Sequence, residues 1–145
     1  MSHYDILLAK KLSGGGGGLT PYYTTRAFTF VPKSSSPYNY VDLTEEERDL
    51  FVAATKSIAI AVFTVNNVEY RWLSVNLDVI ASSDANSWYF LPERGATVLA
   101  PHILIIRFKA KTATYGLAAT SAKIDNVALD EITVRFEFYS LESIL

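Results

Sequence analysis

The stretch Ile132-Thr133-Val134-Arg135-Phe136-Glu137-Phe138-Tyr139 decides the fold class, because its side chains alternate without interruption. The apolar residues at 132, 134, 136 and 138 would point to one side of an extended chain, and the residues between them to the other. Such alternation is typical of an antiparallel strand that buries one face. The stretch therefore predicts a mainly β protein.

A hairpin is predicted upstream, where two apolar stretches, 58–65 and 68–79, flank Asn66-Asn67. Asparagine tolerates the positive φ that a two-residue hairpin turn requires. Turn-forming residues separate further expected strands at 26–31, 87–91, 97–109, 111–119 and 123–129. Short strands without an alternating series of helices favour an antiparallel β-sandwich, jelly-roll-like in topology, over a parallel α/β sheet.

One segment predicts a short helix near residues 44–55. Thr44 is followed three residues later by Glu47, which is the spacing of a capping box. Residues 45–47 are all acidic, as the positive end of a helix dipole favours. Because Leu50, Phe51 and Ala54 share one face, we expect this helix to lie across an end or an open face of the sheet structure.

The composition indicates one folded domain and excludes several kinds of site. The chain has 145 residues, of which 50% are hydrophobic and 13% aromatic, enough for a substantial core. Its net charge is -2 and no basic stripe is visible, so we expect no nucleic-acid partner. The absence of cysteine excludes disulfides and thiolate metal sites. The longest apolar run, 58–63, is far shorter than the ~20 residues of a membrane span, so we expect no membrane partner.

Candidate catalytic and metal-binding residues are few. Of the two histidines, His3 lies near the start and His102 at the expected beginning of a strand. No carboxylate lies close to His102 in the sequence to complete a metal site or a catalytic set. The acidic cluster at 45–47 fits the solvated first turn of a helix. We therefore expect a structural role for His102, no enzymatic activity, and no cofactor or metal.

Five of the seven glycines form a single run: Gly14, Gly15, Gly16, Gly17 and Gly18. Glycine accepts nearly any φ and ψ, so the run predicts a flexible linker at 14–20 between a leader at 1–13 and a β-sandwich domain at 21–145. A phosphate-binding loop would need a helix with Lys-Ser/Thr next, and Leu19-Thr20-Pro21 does not provide it. The leader has too short an apolar region for a signal peptide, so we expect synthesis in the cytoplasm.

The residues around this run resemble the start of many structural proteins of tailed bacteriophages. In this chain they read Ile6-Leu7-Leu8-Ala9-Lys10-Lys11-Leu12-Ser13, followed by the glycines. In those proteins, such a leader precedes a β-rich domain of a capsid-associated fibre, decoration or minor structural protein. The resemblance implies a virion location, capsid or tail subunits as partners with the capsid favoured, and a homo-oligomer, for which a trimer is one option.

The leader is the expected anchor. The residues that we expect to dock on a neighbouring subunit are Ile6, Leu7, Leu8 and Leu12. An isolated helix of this length is marginal in water, so the leader would become ordered only on binding. It would form an N-terminal arm of the sandwich domain.

Aromatic residues near the expected loops are candidates for an interface. They are Tyr22, Tyr23, Tyr38, Tyr40 and Trp88. Such rings present large, stiff, amphipathic surfaces and are enriched at interfaces. They also stack on sugar rings, so an alternative function is a tail or receptor-binding module that recognises host-surface carbohydrate. A further alternative is that these rings only cap the ends of the sandwich.

Overall fold

Residues 20–53, 58–75, 85–93, 96–98, 100–109 and 114–140 are described by the structure, which is a computed structural model. Within those ranges, ten strands form one antiparallel sheet and one short helix packs against it. The mainly β, antiparallel architecture with a helix near residues 44–55 is therefore confirmed. The predicted docking residues Ile6, Leu7, Leu8 and Leu12 and the linker at Gly14–Gly18 lie outside the described residues.

The elements follow one another in a simple order along the chain. They are β1 (Tyr23–Thr24), β2 (Phe28–Phe30), β3 (Val41–Asp42), α1 (Glu45–Ala53), β4 (Ile58–Val65), β5 (Val68–Ser74), β6 (Ala85–Leu91), β7 (Ile103–Lys109), β8 (Gly116–Ile124), β9 (Val127–Ala128) and β10 (Ile132–Tyr139). The strand order in the sheet is β1-β10-β4-β5-β6-β7-β8-β3, with β2 also on β10 and β9 also on β8. Strands β4 to β8 thus form a meander, and β10 returns to pair with β4.

β10 is an inner strand of the sheet, as its alternation predicts. Its residues 132, 134, 136 and 138 are buried, and on the opposite face Thr133 is exposed while Glu137 and Tyr139 are also buried. In the register with β4, Phe136 lies opposite Ala61 and Phe138 opposite Ala59. Large rings therefore face small side chains across the two strands, which lets the rings enter the core without a clash.

Two tight turns are made by residues with positive φ. Asn66 and Asn67 have φ of 51° and 63° between β4 and β5, so the predicted hairpin is confirmed. Asp125 and Asn126, with φ of 53° and 65°, join β8 to β9. The strand predicted at 123–129 is therefore divided at Asp125-Asn126, whose residue types favour a turn. β8 continues through residues 120–122, because Ser121 and Ala122 pair with Ile105 and Leu104 of β7, although the register shifts beside Thr120.

The sheet folds over so that strands far apart in the strand order face each other across the core. The ring of Phe90 in β6 lies 5.5 Å from that of Phe136 in β10, although β4 and β5 separate these strands. The Phe51 side chain of α1 is fully buried in this core, and its ring centroid lies 5.4 Å from those of both Phe108 and Phe138. The helix therefore closes one end of the core with a single aromatic side chain.

The start of α1 has the predicted capping box. The Glu47 N–H donates to Thr44 Oγ1 at 3.1 Å, and the Thr44 N–H donates to Glu47 Oε1 at 3.0 Å. Arg26 donates to both oxygens of the same carboxylate, at 2.8 and 3.2 Å. These hydrogen bonds, with the charge of Arg26, hold the pKa of Glu47 below its usual range. The helix is thus joined to the segment between β1 and β2.

The described body has two distinct ends. The turn end carries both tight turns, Asn66-Asn67 and Asp125-Asn126, because β4 and β8 run in the same direction in the sheet. The helix end carries α1 and the last residues of β10. The Tyr22 N–H donates to the Phe138 carbonyl at 2.9 Å, so the described chain enters the sheet at the helix end.

Candidate functional site

Four side chains gather on the outer face of β7 and β8, and they are called here the Tyr–Arg cluster: Tyr38, Tyr40, Arg107 and Lys109. Arg107 and Lys109 point outward because Ile106 and Phe108, which alternate with them, fill the core. The two tyrosines come from the connection between β2 and β3. The cluster therefore joins two parts of the chain that lie 67 residues apart at the Tyr40–Arg107 contact.

The path of the β2–β3 connection brings the tyrosines to this face. The Lys33 N–H donates to the Ala119 carbonyl of β8 at 3.0 Å, and Val41 of β3 pairs with Leu117. Tyr40 then lies directly against Gly116, where an added Cβ would approach the Tyr40 Cβ to 3.0 Å. Gly116 is therefore required for this close approach and not for an unusual backbone conformation.

Tyr38 and Tyr40 hold Arg107 in a defined orientation. The Arg107 Nε donates to the Tyr40 hydroxyl at 2.9 Å, and the Arg107 Cζ lies 4.8 Å from the centre of the Tyr38 ring. The Lys109 Nζ lies 5.5 Å from the centre of the Tyr40 ring. Both cations therefore contact the negative faces of aromatic rings, which attract positive charge.

The cluster is positively charged, and no described acid forms an ion pair with it. All four side chains are half-buried, so part of each remains accessible to solvent. The arrangement can bind an anion: the guanidinium of a held arginine presents donors in the planar geometry that matches a carboxylate or phosphate.

Tyr22 and Tyr23 lie elsewhere, at the helix end. Tyr22 is 54% exposed, which makes it the most exposed aromatic side chain among the described residues. Tyr23 is half-buried and stacks on Phe138, with ring centroids 5.8 Å apart and planes inclined by 12°. Of the predicted interface tyrosines, the structure thus brings Tyr38 and Tyr40 into one cluster and leaves the other two beside the point where the chain enters the sheet.

Trp88 is not available as an interface or stacking residue, which corrects the sequence-based expectation. It is 2% exposed and packs in the core, 5.8 Å from Phe51 and 5.7 Å from Phe90. The reason is its position on the inward-facing side of β6, together with Phe90. Its position soon after a turn in the sequence favours an exposed ring, but β6 begins at Ala85 and turns the Trp88 side chain into the core.

His102 has a carboxylate neighbour that sequence spacing did not reveal. Its Nε2 lies 3.3 Å from Asp125 Oδ1, and the Asp125 N–H points to its Nδ1 at the same distance. Nearby, the Asn126 N–H donates to the Pro101 carbonyl at 2.9 Å. These contacts connect the start of β7 to the β8–β9 turn. Within the described ranges, no three His, Asp or Glu side chains gather as a metal site would require.

A polar network lies on the outer face of β5, β4 and β10. Arg71 Nη2 and the Tyr139 hydroxyl donate to Glu137 Oε1 at 2.6 and 2.7 Å. Burial raises the pKa of Glu137, but these hydrogen bonds and the nearby positive charges outweigh it, so that pKa lies below its ordinary value. Burial and the Glu137 carboxylate raise the pKa of Tyr139. The groups are paired with one another, as expected of a structural network.

A groove with a volume of about 600 Å³ lies between the segment that follows β2, strand β8 and the end of β9. Its lining combines hydroxyl groups, one cation and one acid with small apolar surfaces. Lining residues include Val31, Ser34, Thr120, Ser121, Lys123 and Asp130. None of the described residues that line it is aromatic, so they offer no platform on which a sugar ring or a base could stack.

Comparison with known proteins adds no relative. No family model, curated protein sequence or solved structure matches this chain. Among the described residues, there is no helix of the length and apolar character needed to cross a membrane. Function must therefore be argued from the residues and from the geometry of the chain.

Proposed function

We propose that this chain is a structural protein of a bacteriophage virion, associated with the capsid as a decoration or head-fibre protein. The observation that carries the proposal is the leader at residues 6–13 with its glycine run, which resembles the start of tailed-phage structural proteins. The partners are other virion proteins, and the chain acts as a homo-oligomer without a catalytic role.

The placement of the chain entry supports a tethered arrangement. Because Tyr22 joins the sheet beside Phe138, the leader and linker are attached at the helix end of the body. The turn end lies at the other ends of the same strands. An anchor bound to the particle would therefore hold the body by its helix end. Many copies that each bind weakly would be held strongly, because tethering raises the effective concentration of neighbouring contacts.

The linker allows the anchor and the body to take different orientations. Five consecutive glycines have no side chains to restrict φ and ψ, so the orientation of one part would place little restriction on the orientation of the other. The leader can then follow the surface of a capsid subunit while the β domain faces solvent. This mechanism requires no chemistry beyond apolar docking of Ile6, Leu7, Leu8 and Leu12.

Removal of residues 1–18 tests the proposal in particles assembled in infected cells. We expect the full chain to copurify with virions, and the shortened chain to stay folded by circular dichroism but to be absent from them. A variant with serine at positions 6, 7, 8 and 12 should behave like the shortened chain, whereas alanine at Lys10 and Lys11 should leave incorporation largely intact.

Two results would contradict the proposal in different ways. Absence of the full chain from purified virions would exclude the structural role itself. Normal incorporation of the shortened chain would exclude the anchoring role of the leader while leaving a virion location in place.

A further inference from the structure

We propose that the Tyr–Arg cluster is a binding site for the carboxylate of an acidic sugar, a uronic or sialic acid within a polysaccharide. The proposal rests on the contacts of Arg107, Lys109, Tyr38 and Tyr40, and it does not depend on the virion role. The proposed site lies on the outer face of β7 and β8.

Arg107 is held in a defined orientation by the two tyrosines. Its Nε is engaged by the Tyr40 hydroxyl at 2.9 Å, and its plane lies near the Tyr38 ring. These contacts restrict the long side chain before any ligand binds, so less conformational entropy is lost on binding. The terminal amino groups of the guanidinium are the donors that form paired hydrogen bonds with a carboxylate.

Arg107 and Lys109 give the site a positive charge. Arg107 and Lys109 lie on the same face of β7 two residues apart, which corresponds to about 7 Å along a strand. No acid among the described residues neutralises either cation. Two neighbouring cations suit a ligand that presents acidic groups at intervals, and the attraction is strongest at low ionic strength.

The tyrosines beside the cations favour an acidic sugar over an acidic protein segment. The tyrosines present apolar ring surfaces and hydroxyl groups beside the cations, which suits the mixed apolar and hydroxyl-bearing face of a pyranose.

The test is a calorimetric titration of the full chain with oligosaccharides of galacturonate, glucuronate and sialic acid, each beside its methyl ester. The ester keeps the sugar and removes the charge, so binding of at least one acid that is lost on esterification is expected. Replacement of Arg107 by glutamine should weaken that binding by about tenfold or more. Lys123→Gln removes one charge from the exposed face of the neighbouring β8 and should have little effect.

A second variant separates the site from general folding effects. Tyr40→Phe keeps the ring and the net charge but removes the acceptor of the Arg107 Nε, so affinity should fall several-fold with unchanged thermal unfolding. Failure of all three acids to bind, or equal binding by Arg107→Gln, overturns the proposal. Tighter binding of an oligoglutamate peptide at the same residues would also overturn it, because the site would then be one for an acidic protein.

Discussion

Glu137 is an almost fully buried acid on the outer face of a central strand, and its ionisation is coupled to that of its neighbours. Only 8% of the residue is exposed, and it accepts hydrogen bonds from Arg71 and Tyr139. Because the pKa of Glu137 is lowered in the folded protein, the ionised carboxylate stabilises the fold at neutral pH. This contribution is present above the unfolded-state pKa of about 4.3 and is lost as the pH falls through the lower folded-state value.

Glu137→Gln should therefore destabilise the protein at pH 7 by about 1–3 kcal/mol, because Arg71 loses its charged partner. The difference in unfolding free energy between wild type and variant should shrink as the pH falls below about 4.3. Urea unfolding at a series of pH values measures this difference. Glu131→Gln is a matched control at an exposed position on the approach to β10 and should change stability little at any pH. A difference for Glu137→Gln that does not vary with pH would contradict the assignment.

Among elements, α1 depends on a cap that was evident in the sequence. Thr44 and Glu47 satisfy each other's backbone N–H groups, and Arg26 pairs with the same carboxylate while its Nη2 donates to the Asp42 carbonyl at 3.0 Å. The helix has only nine residues, which is too short to be stable alone in water. The cap and the packing of Phe51 must therefore both contribute to its stability.

Thr44→Ala should lower the free energy of unfolding by about 1 kcal/mol, because the Glu47 N–H loses its acceptor at the helix start. Thr44→Ser keeps the hydroxyl and should remain close to wild type. The measurement is the midpoint of chemical denaturation for the two variants side by side. Equal loss in both would show that the methyl group, and not the cap, carries the effect.

At the scale of the whole molecule, Phe51 connects the helix to strands on both sides of the core. Its ring contacts Phe28 of β2, Trp88 of β6, Phe108 of β7 and the β10 rings Phe136 and Phe138. Removal of this one ring would leave a cavity bordered by four strands. The loss of this packing would therefore lower the stability of the whole folded sheet and not of the helix alone.

Phe51→Ala should cost about 3–5 kcal/mol of stability, the range found for fully buried phenylalanines. Leu50→Ala, at the adjacent and 37% exposed position, should cost less than about 1 kcal/mol. Comparison of the two by thermal and chemical unfolding separates core packing from helix propensity, because both variants place alanine in the same helix. Similar losses in the two variants would contradict the central position of Phe51.

Part of the candidate site could be predicted from the sequence and part could not. Tyr38 and Tyr40 were identified as surface aromatics because Pro and Ser residues around them indicate a loop. The outward direction of Arg107 and Lys109 also follows from their alternation with Ile106 and Phe108. Their meeting does not follow, because it depends on the Lys33–Ala119 hydrogen bond and on the small size of Gly116. The contact between His102 and Asp125 could not be predicted either, because it also joins segments that are distant in the sequence.

The local features of this protein can be predicted from short segments of sequence: the alternation of β10, the capping box of α1 and the Asn66-Asn67 turn. Each depends on residues within a few positions of one another, through the period of a strand, the spacing of a helical turn or the φ range of asparagine. The folded chain is needed to show that β10 pairs with β4, that Trp88 is buried and that Tyr40 holds Arg107. These contacts join distant segments, so they depend on the register and path of the whole chain, which local patterns do not specify.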